Sequence, residues 1–214
     1  MAPSLSLFFL LFILLLCFML PVTSNYLVFL KLYFLQVLSI LLVFFINHGD
    51  TLSHDTILLI SFILAILIRA FLIPVMMTNF LQRWGFQLVE RKMMFGTLIT
   101  MILMILGILC SYMLTLQIFW QLNLLFMTSL VVLFSGFLVL INHRKIIGDV
   151  LWFLLLENAL FLIAFALIPA ITISIELWIL IDILMSLTVF VIAIVKIRQV
   201  HGSMDRAKLS QLTD

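Results

Sequence analysis

The sequence predicts an all-α integral membrane protein of about seven transmembrane helices, N-terminus outside and C-terminus in the cytoplasm. Three observations predict it. Of 214 residues, 66% are apolar and only 9% are charged, whereas a soluble domain carries roughly 25% charged residues. There is too little polar surface to cover a globule, so the solvent for most of the chain is lipid. Second, stretches such as FFLLFILLLCFML and TILLISFILAILI are apolar throughout. In lipid only helices or a closed barrel satisfy the backbone, and barrel strands would alternate with period two. Third, after the second helix basic residues fall in every second loop, as cytoplasmic loops do.

A helix needs about 20 apolar residues to cross the hydrocarbon core. Seven segments qualify, at about 4–23, 25–46, 56–82, 93–115, 121–142, 147–169 and 174–196. Only Thr23, Ser24 and Asn25 separate the first two, and Pro21 helps to end the first by removing a backbone donor. The first 24 residues imitate a signal peptide, but no positive charge precedes the apolar run, so they are counted as a helix. The turns NHGDTLSHD, QRWGFQLVERK, TLQIFWQ, NHRKI and PAITIS divide the remainder. Arg83, Arg91 and Lys92 follow the third helix, and Arg144 and Lys145 follow the fifth. Lys196, Arg198, Arg206 and Lys208 lie in the tail, while the loops near 47–55, 116–121 and 170–175 hold no Lys or Arg.

The net charge of +2 is too small to point to nucleic acid. Cys17 and Cys110 lie inside apolar runs and read as small hydrophobes. His48, His54, His143 and His201 fall in loops or the tail and read as solvated. The sequence has no Gly-rich phosphate loop, no CxxC and no His pair spaced for a haem or metal. No catalytic site and no cofactor site of the chain's own is expected. Gly107 and Gly136 read as places of close helix approach.

A charged side chain at mid-membrane costs roughly 2.5–3.5 kcal/mol on insertion scales and is a functional hypothesis by default. Arg69 lies midway along the third helix, Glu157 about ten residues into the sixth and Asp182 about eight into the seventh. Pro74 cannot bond to the carbonyl of Ala70, so the helix is expected to be open beside Arg69. Asn158 stands next to Glu157, and Ser186 is one turn after Asp182. Lys31 lies a turn from the cytoplasmic end of its helix and reads mainly as a snorkelling side chain. Gln36 is deeper and is placed to bond across helices. Asp149, at the cytoplasmic mouth of the sixth helix, precedes Glu157 by about 12 Å of helix on a similar face and is placed to feed protons to it. Glu176 reads as a solvated acid at the outer surface. A carboxyl in low dielectric holds a proton, and a cation moved close favours its release. Two buried acids and a buried base, Glu157, Asp182 and Arg69, therefore read as a proton relay, with Lys31 and Asp149 as further candidate members. The alternative for the first three is a structural partner or hydrogen bond between helices, for Lys31 snorkelling, and for Asp149 an interfacial acid without function.

HRKIIGDVLWFLLLENALFLIAFALI and LWILIDILMSLTVFVIAIVKIRQVHGSMD together resemble the membrane subunit hydrogenase-4 component E. That family is related to the three-helix NuoK-type subunit of respiratory complex I and to the C subunit of multisubunit cation/proton antiporters. The resemblance rests on the basic turn His143, Arg144, Lys145, on the pair Glu157 and Asn158, on Asp182 and on the ending HGSMD. Upstream, Tyr26, Tyr33 and Gln36 keep the family's spacing, and RAFLIPVMMT resembles a family segment with Lys in place of Arg69. Lys31 stands where the family usually has a small residue, and Asp182 where the three-helix relative has Glu.

The resemblance implies a five-helix region over 1–142 followed by NuoK-like helices and a cytoplasmic tail over 143–214. It implies a multi-pass subunit of a bacterial or archaeal cytoplasmic membrane, beside antiporter-like subunits. The implied peripheral redox arm carries the iron–sulfur clusters, with a nickel–iron hydrogenase or formate-oxidising module, and this chain carries no cofactor. A cation/proton antiporter subunit without a redox arm and a structural spacer are the alternatives.

Overall fold

The computed structural model describes residues 3–54, 56–83, 101–109, 112–113, 124–143, 147–167, 184–185, 188, 190–193 and 195–196. These are almost entirely helical. Helix α1 spans Pro3–Val22, α2 Tyr26–His54, α3 Thr56–Ala65 and α4 Ile73–Arg83. A π-helical segment, Ile66–Leu72, joins α3 to α4, so that 56–83 is one rod. Helix α5 spans Leu124–Asn142 and α6 Ile147–Leu167. Five spans among the described residues are long and apolar enough to cross a membrane: Leu5–Val22, Tyr26–Asn47, Phe62–Arg83, Leu124–Ile141 and Ile147–Leu167. Of the expected span 93–115, residues 101–109 and 112–113 are described, and they are helical. Of 174–196, the described residues are also helical. The rest of both, Asp182 included, lies outside the described residues.

The outer surface suits a lipid solvent. Phe8, Leu11, Leu15 and Met19 make an exposed stripe along α1, and Ile60, Ile63, Leu67 and Phe71 another along the third rod. Large apolar stripes on the outside of a bundle are stable against acyl chains and not against water.

The short break between the first two helices is real and locally encoded. Thr23 closes α1, its hydroxyl donating to the carbonyl of Met19 at 2.7 Å. Asn25 opens α2, its side-chain oxygen accepting the N–H of Leu27 at 2.9 Å, as an N-cap does. Helix α1 then packs into the bundle, with Ile13, Leu16, Cys17 and Leu20 buried. One expected turn is corrected. NHGDTLSH is helical, because α2 runs on through His54. Extending a formed helix adds one hydrogen bond per residue fixed, and this outweighs the roughly 1 kcal/mol cost of Gly49.

Ring contacts fix the directions of the helices. Phe44 stacks on Phe62 at 5.7 Å and Phe34 meets Phe71 at 5.6 Å, so α2 and the third rod are antiparallel. Phe44 also meets Phe161 and Phe165 of α6, at 6.1 and 5.1 Å. His143 at the end of α5 lies on Tyr26 at the start of α2, at 5.5 Å. The end of α1, the start of α2, the end of α4, the end of α5 and the start of α6 therefore share one end of the bundle.

Small residues set the closest approaches, as their sequence positions predict. A Cβ on Gly136 would touch Leu155 and Trp152 of α6, each at 3.4 Å. On Gly107 the ring of Phe134 occupies the space a Cβ would need.

Candidate functional site

The third rod departs from α-helix over seven residues, and the cause is local. Pro74 has no N–H, and its ring would meet the carbonyl of Ala70 in an α-helix. The preceding turns widen to π register, with the N–H of Ile73 bonding to Ile68 five residues back. This opening was expected beside Arg69. The structure shows that Arg69 lies within it and is buried. The π turn carries the guanidinium onto α6, where its central carbon stands 4.5 Å from the centre of the Phe161 ring. Phe161 is one turn beyond Glu157, which is 5% exposed, beside Asn158, which is 2% exposed.

A further buried polar side chain of this region is Tyr33 of α2. Its side chain is buried and within electrostatic reach of both Arg69 and Glu157. Neither charge is isolated. Gln36, one turn along α2 from Tyr33, is fully buried, and its amide nitrogen donates to the sulfur of Cys17 at 3.4 Å. Near Cys17 lies the buried Ser135 of α5, whose hydroxyl donates to the carbonyl of Val132 at 2.7 Å. Tyr33, Gln36, Arg69 and Glu157 all fall in the middle third of their spans. A layer of polar side chains thus crosses the bundle, from α5 through α1 and α2 to the third rod and α6. Gln36 Oε1 and Asn158 Nδ2 have no hydrogen-bond partner among the described residues. Each such buried atom costs about 1–3 kcal/mol while it has no partner.

The structure brings together two of the five expected relay residues. Asp149 is half-buried in the first turn of α6, where an acid also suits the helix dipole. Lys31 is on the exposed side of α2, away from the cluster, and lines a groove against α4. Asp182 lies outside the described residues. Sequence reasoning passed over Tyr33 and Ser135 as site members and read Cys17 as a hydrophobe. The available signal was a run of polar residues in otherwise apolar helices, with Tyr33 one turn from Gln36.

His143 is a correction. It is 1% exposed, not solvated. Its ring packs on Tyr26 and, edge-on, on Phe29 at 6.5 Å. Gly148 makes the room, since a Cβ there would collide with the His143 side chain. Among the described residues no three His, Cys, Asp or Glu side chains gather as metal ligands would.

Fold and site define a multi-pass helical membrane protein with opposite charges buried at mid-height. No family model matches the chain, and no curated protein or solved structure does.

Proposed function

We propose that this chain is a membrane subunit of a complex-I-like, hydrogenase-4-type oxidoreductase assembly, in which it helps move protons or other cations coupled to electron transfer. The observation that carries the reading is the burial of Arg69 at the middle of the bundle, its guanidinium on the Phe161 ring one turn from the buried Glu157. A structural spacer needs no acid and base on two elements at a depth where each is expensive. Glu157 holds and releases the proton, and Arg69 keeps its own proton and serves as the counter-charge that tunes the release. Asp182 serves as the second relay acid, and Asp149 supplies protons to Glu157 from the cytoplasmic side. The resemblance in HRKIIGDVLWFLLLENALFLIAFALI and around RAFLIPVMMT supports the choice of assembly. The iron–sulfur and nickel–iron centres belong to the partners.

In this reading the chain crosses a bacterial or archaeal cytoplasmic membrane seven times. The bundle end that carries Arg83 and the start of α6 faces the cytoplasm. Reporter fusions should place residues 1–3 outside and residue 214 inside; both termini on one side would overturn the count of seven.

The test of the assembly is purification in mild detergent from native membranes. Antiporter-like subunits and an iron–sulfur arm are expected to copurify with the chain. Antiporter-like subunits without any redox protein would assign it to a cation/proton antiporter. A functional homo-oligomer would overturn both.

A further inference from the structure

A groove of ≈ 680 Å³ runs between α2 and α4 on the outside of the bundle. It is separate from the mid-height polar layer. Its floor and walls are apolar, with Phe34, Leu35, Pro74 and Val75 among them, and Lys31, Thr78 and Gln82 lie on its polar side. Lys31, Leu35 and Val75 are exposed, so the groove opens to the surroundings of the bundle. Lys31 is the sixth residue of α2, with its Cα roughly 7–8 Å below the helix start. Side chains on a helix lean toward its N-terminus. The Lys31 ammonium is therefore directed to the membrane surface where α4 ends in Gln82 and Arg83. No acid lines the groove, and none among the described residues pairs with Lys31.

We infer that this groove binds an anionic phospholipid of the surrounding leaflet. One acyl chain lies along Phe34, Leu35, Pro74 and Val75, and the phosphate sits on the Lys31 ammonium, with the exposed Gln82 amide as a second donor. The charges select the occupant: an apolar trough capped by a cation, with no acid in its lining, matches a lipid with a net negative headgroup. An acidic partner helix would match the cation but would need a second apolar face in lipid, where burial of apolar surface gives little drive for association. The volume lies within the ~300–1,000 Å³ of ordinary ligand clefts. The inference rests on the chain's being embedded in a bilayer and is independent of the relay.

The test uses the chain with whatever partners it retains, in nanodiscs of phosphatidylglycerol and phosphatidylcholine with matched acyl chains, read by native mass spectrometry after release into detergent. Retained phosphatidylglycerol should exceed phosphatidylcholine by about fivefold, the ratio expected of one lysine beside an anionic headgroup. Lys31→Gln should erase the preference, and Thr78→Trp, which fills the trough, should lower retention of both lipids. Equal retention in the unsubstituted protein, or a preference that survives Lys31→Gln, overturns the site. Leu35→p-benzoylphenylalanine, irradiated in native membranes, should yield a lipid adduct; a polypeptide adduct overturns the lipid as occupant. Carbonate extraction separates the two levels of failure. A chain that washes off the membrane overturns the embedding itself, whereas one that stays but shows no lipid preference overturns only the groove's occupant.

Discussion

Glu157→Gln is expected to leave the protein inserted and assembled, with electron transfer at least partly intact, while cation pumping per electron falls roughly tenfold or more. The amide keeps the shape and hydrogen bonding of the carboxyl but cannot ionise. Positioned proton-transfer groups contribute about 10²–10⁴ in rate, so loss of one in an obligatory line leaves little flux. Glu157→Asp should retain part of the pumping, because the acid survives with a shorter reach. Asp182→Asn should resemble Glu157→Gln with a smaller effect. The measurement is pumping in reconstituted vesicles, normalised to assembled complex. A spacer gives another pattern, with Glu157→Gln nearly silent. Normal pumping in a Glu157→Gln, Asp182→Asn double variant would end the relay reading for this chain.

The second large effect belongs to Arg69. Arg69→Met removes the cation from the face of Phe161 and leaves Glu157 beside Tyr33 without its opposite charge. Removing one member of a buried opposite-charge pair typically costs about 3–5 kcal/mol. The variant should therefore accumulate poorly and unfold at markedly lower temperature in detergent. Arg69→Lys should be milder, since it keeps the charge and loses the planar guanidinium over the ring. A double-mutant cycle isolates the cause. Glu157→Gln should rescue much of the stability lost in Arg69→Met, because a neutral amide needs no counter-charge. Thermal unfolding of the four proteins measures it, and the absence of any rescue would show that Arg69 and Glu157 are not coupled.

Much of the architecture was legible because a membrane leaves few choices. Twenty apolar residues must be helical to satisfy their backbone, so the spans beginning at Pro3, Tyr26, Thr56, Leu124 and Ile147 fall within a few residues of their sequence-based bounds. The Thr23–Asn25 break was legible because Thr and Asn are capping chemistry. His143 was misjudged because loop position predicts solvation only where the loop stays at the surface. Here Gly148 lets α6 start close enough to draw the imidazole beneath Tyr26 and Phe29. The end of α2 was misjudged because polar composition marks where lipid ends, and a helix need not stop there.

The sequence by itself determined that the described residues are helical, that five of their spans are long and apolar enough to cross a membrane, and that Arg69 and Glu157 stand midway along such spans, since each follows from composition, length and position along an apolar run. It also determined that the helix must open before Pro74, because a missing N–H and a ring clash are local facts. Only the tertiary structure decided which buried groups meet. The direction in which Arg69 points depends on the register of the π turn, and that register puts the guanidinium on Phe161 and beside Tyr33. The bond from Gln36 to Cys17 ties α2 to α1, and Ser135 of α5 is buried close by. Helices pack by the shape of whole faces, so residues that are polar for separate local reasons become one layer only when Gly136 and the aromatic contacts of Phe44 fix how the helices lie against one another.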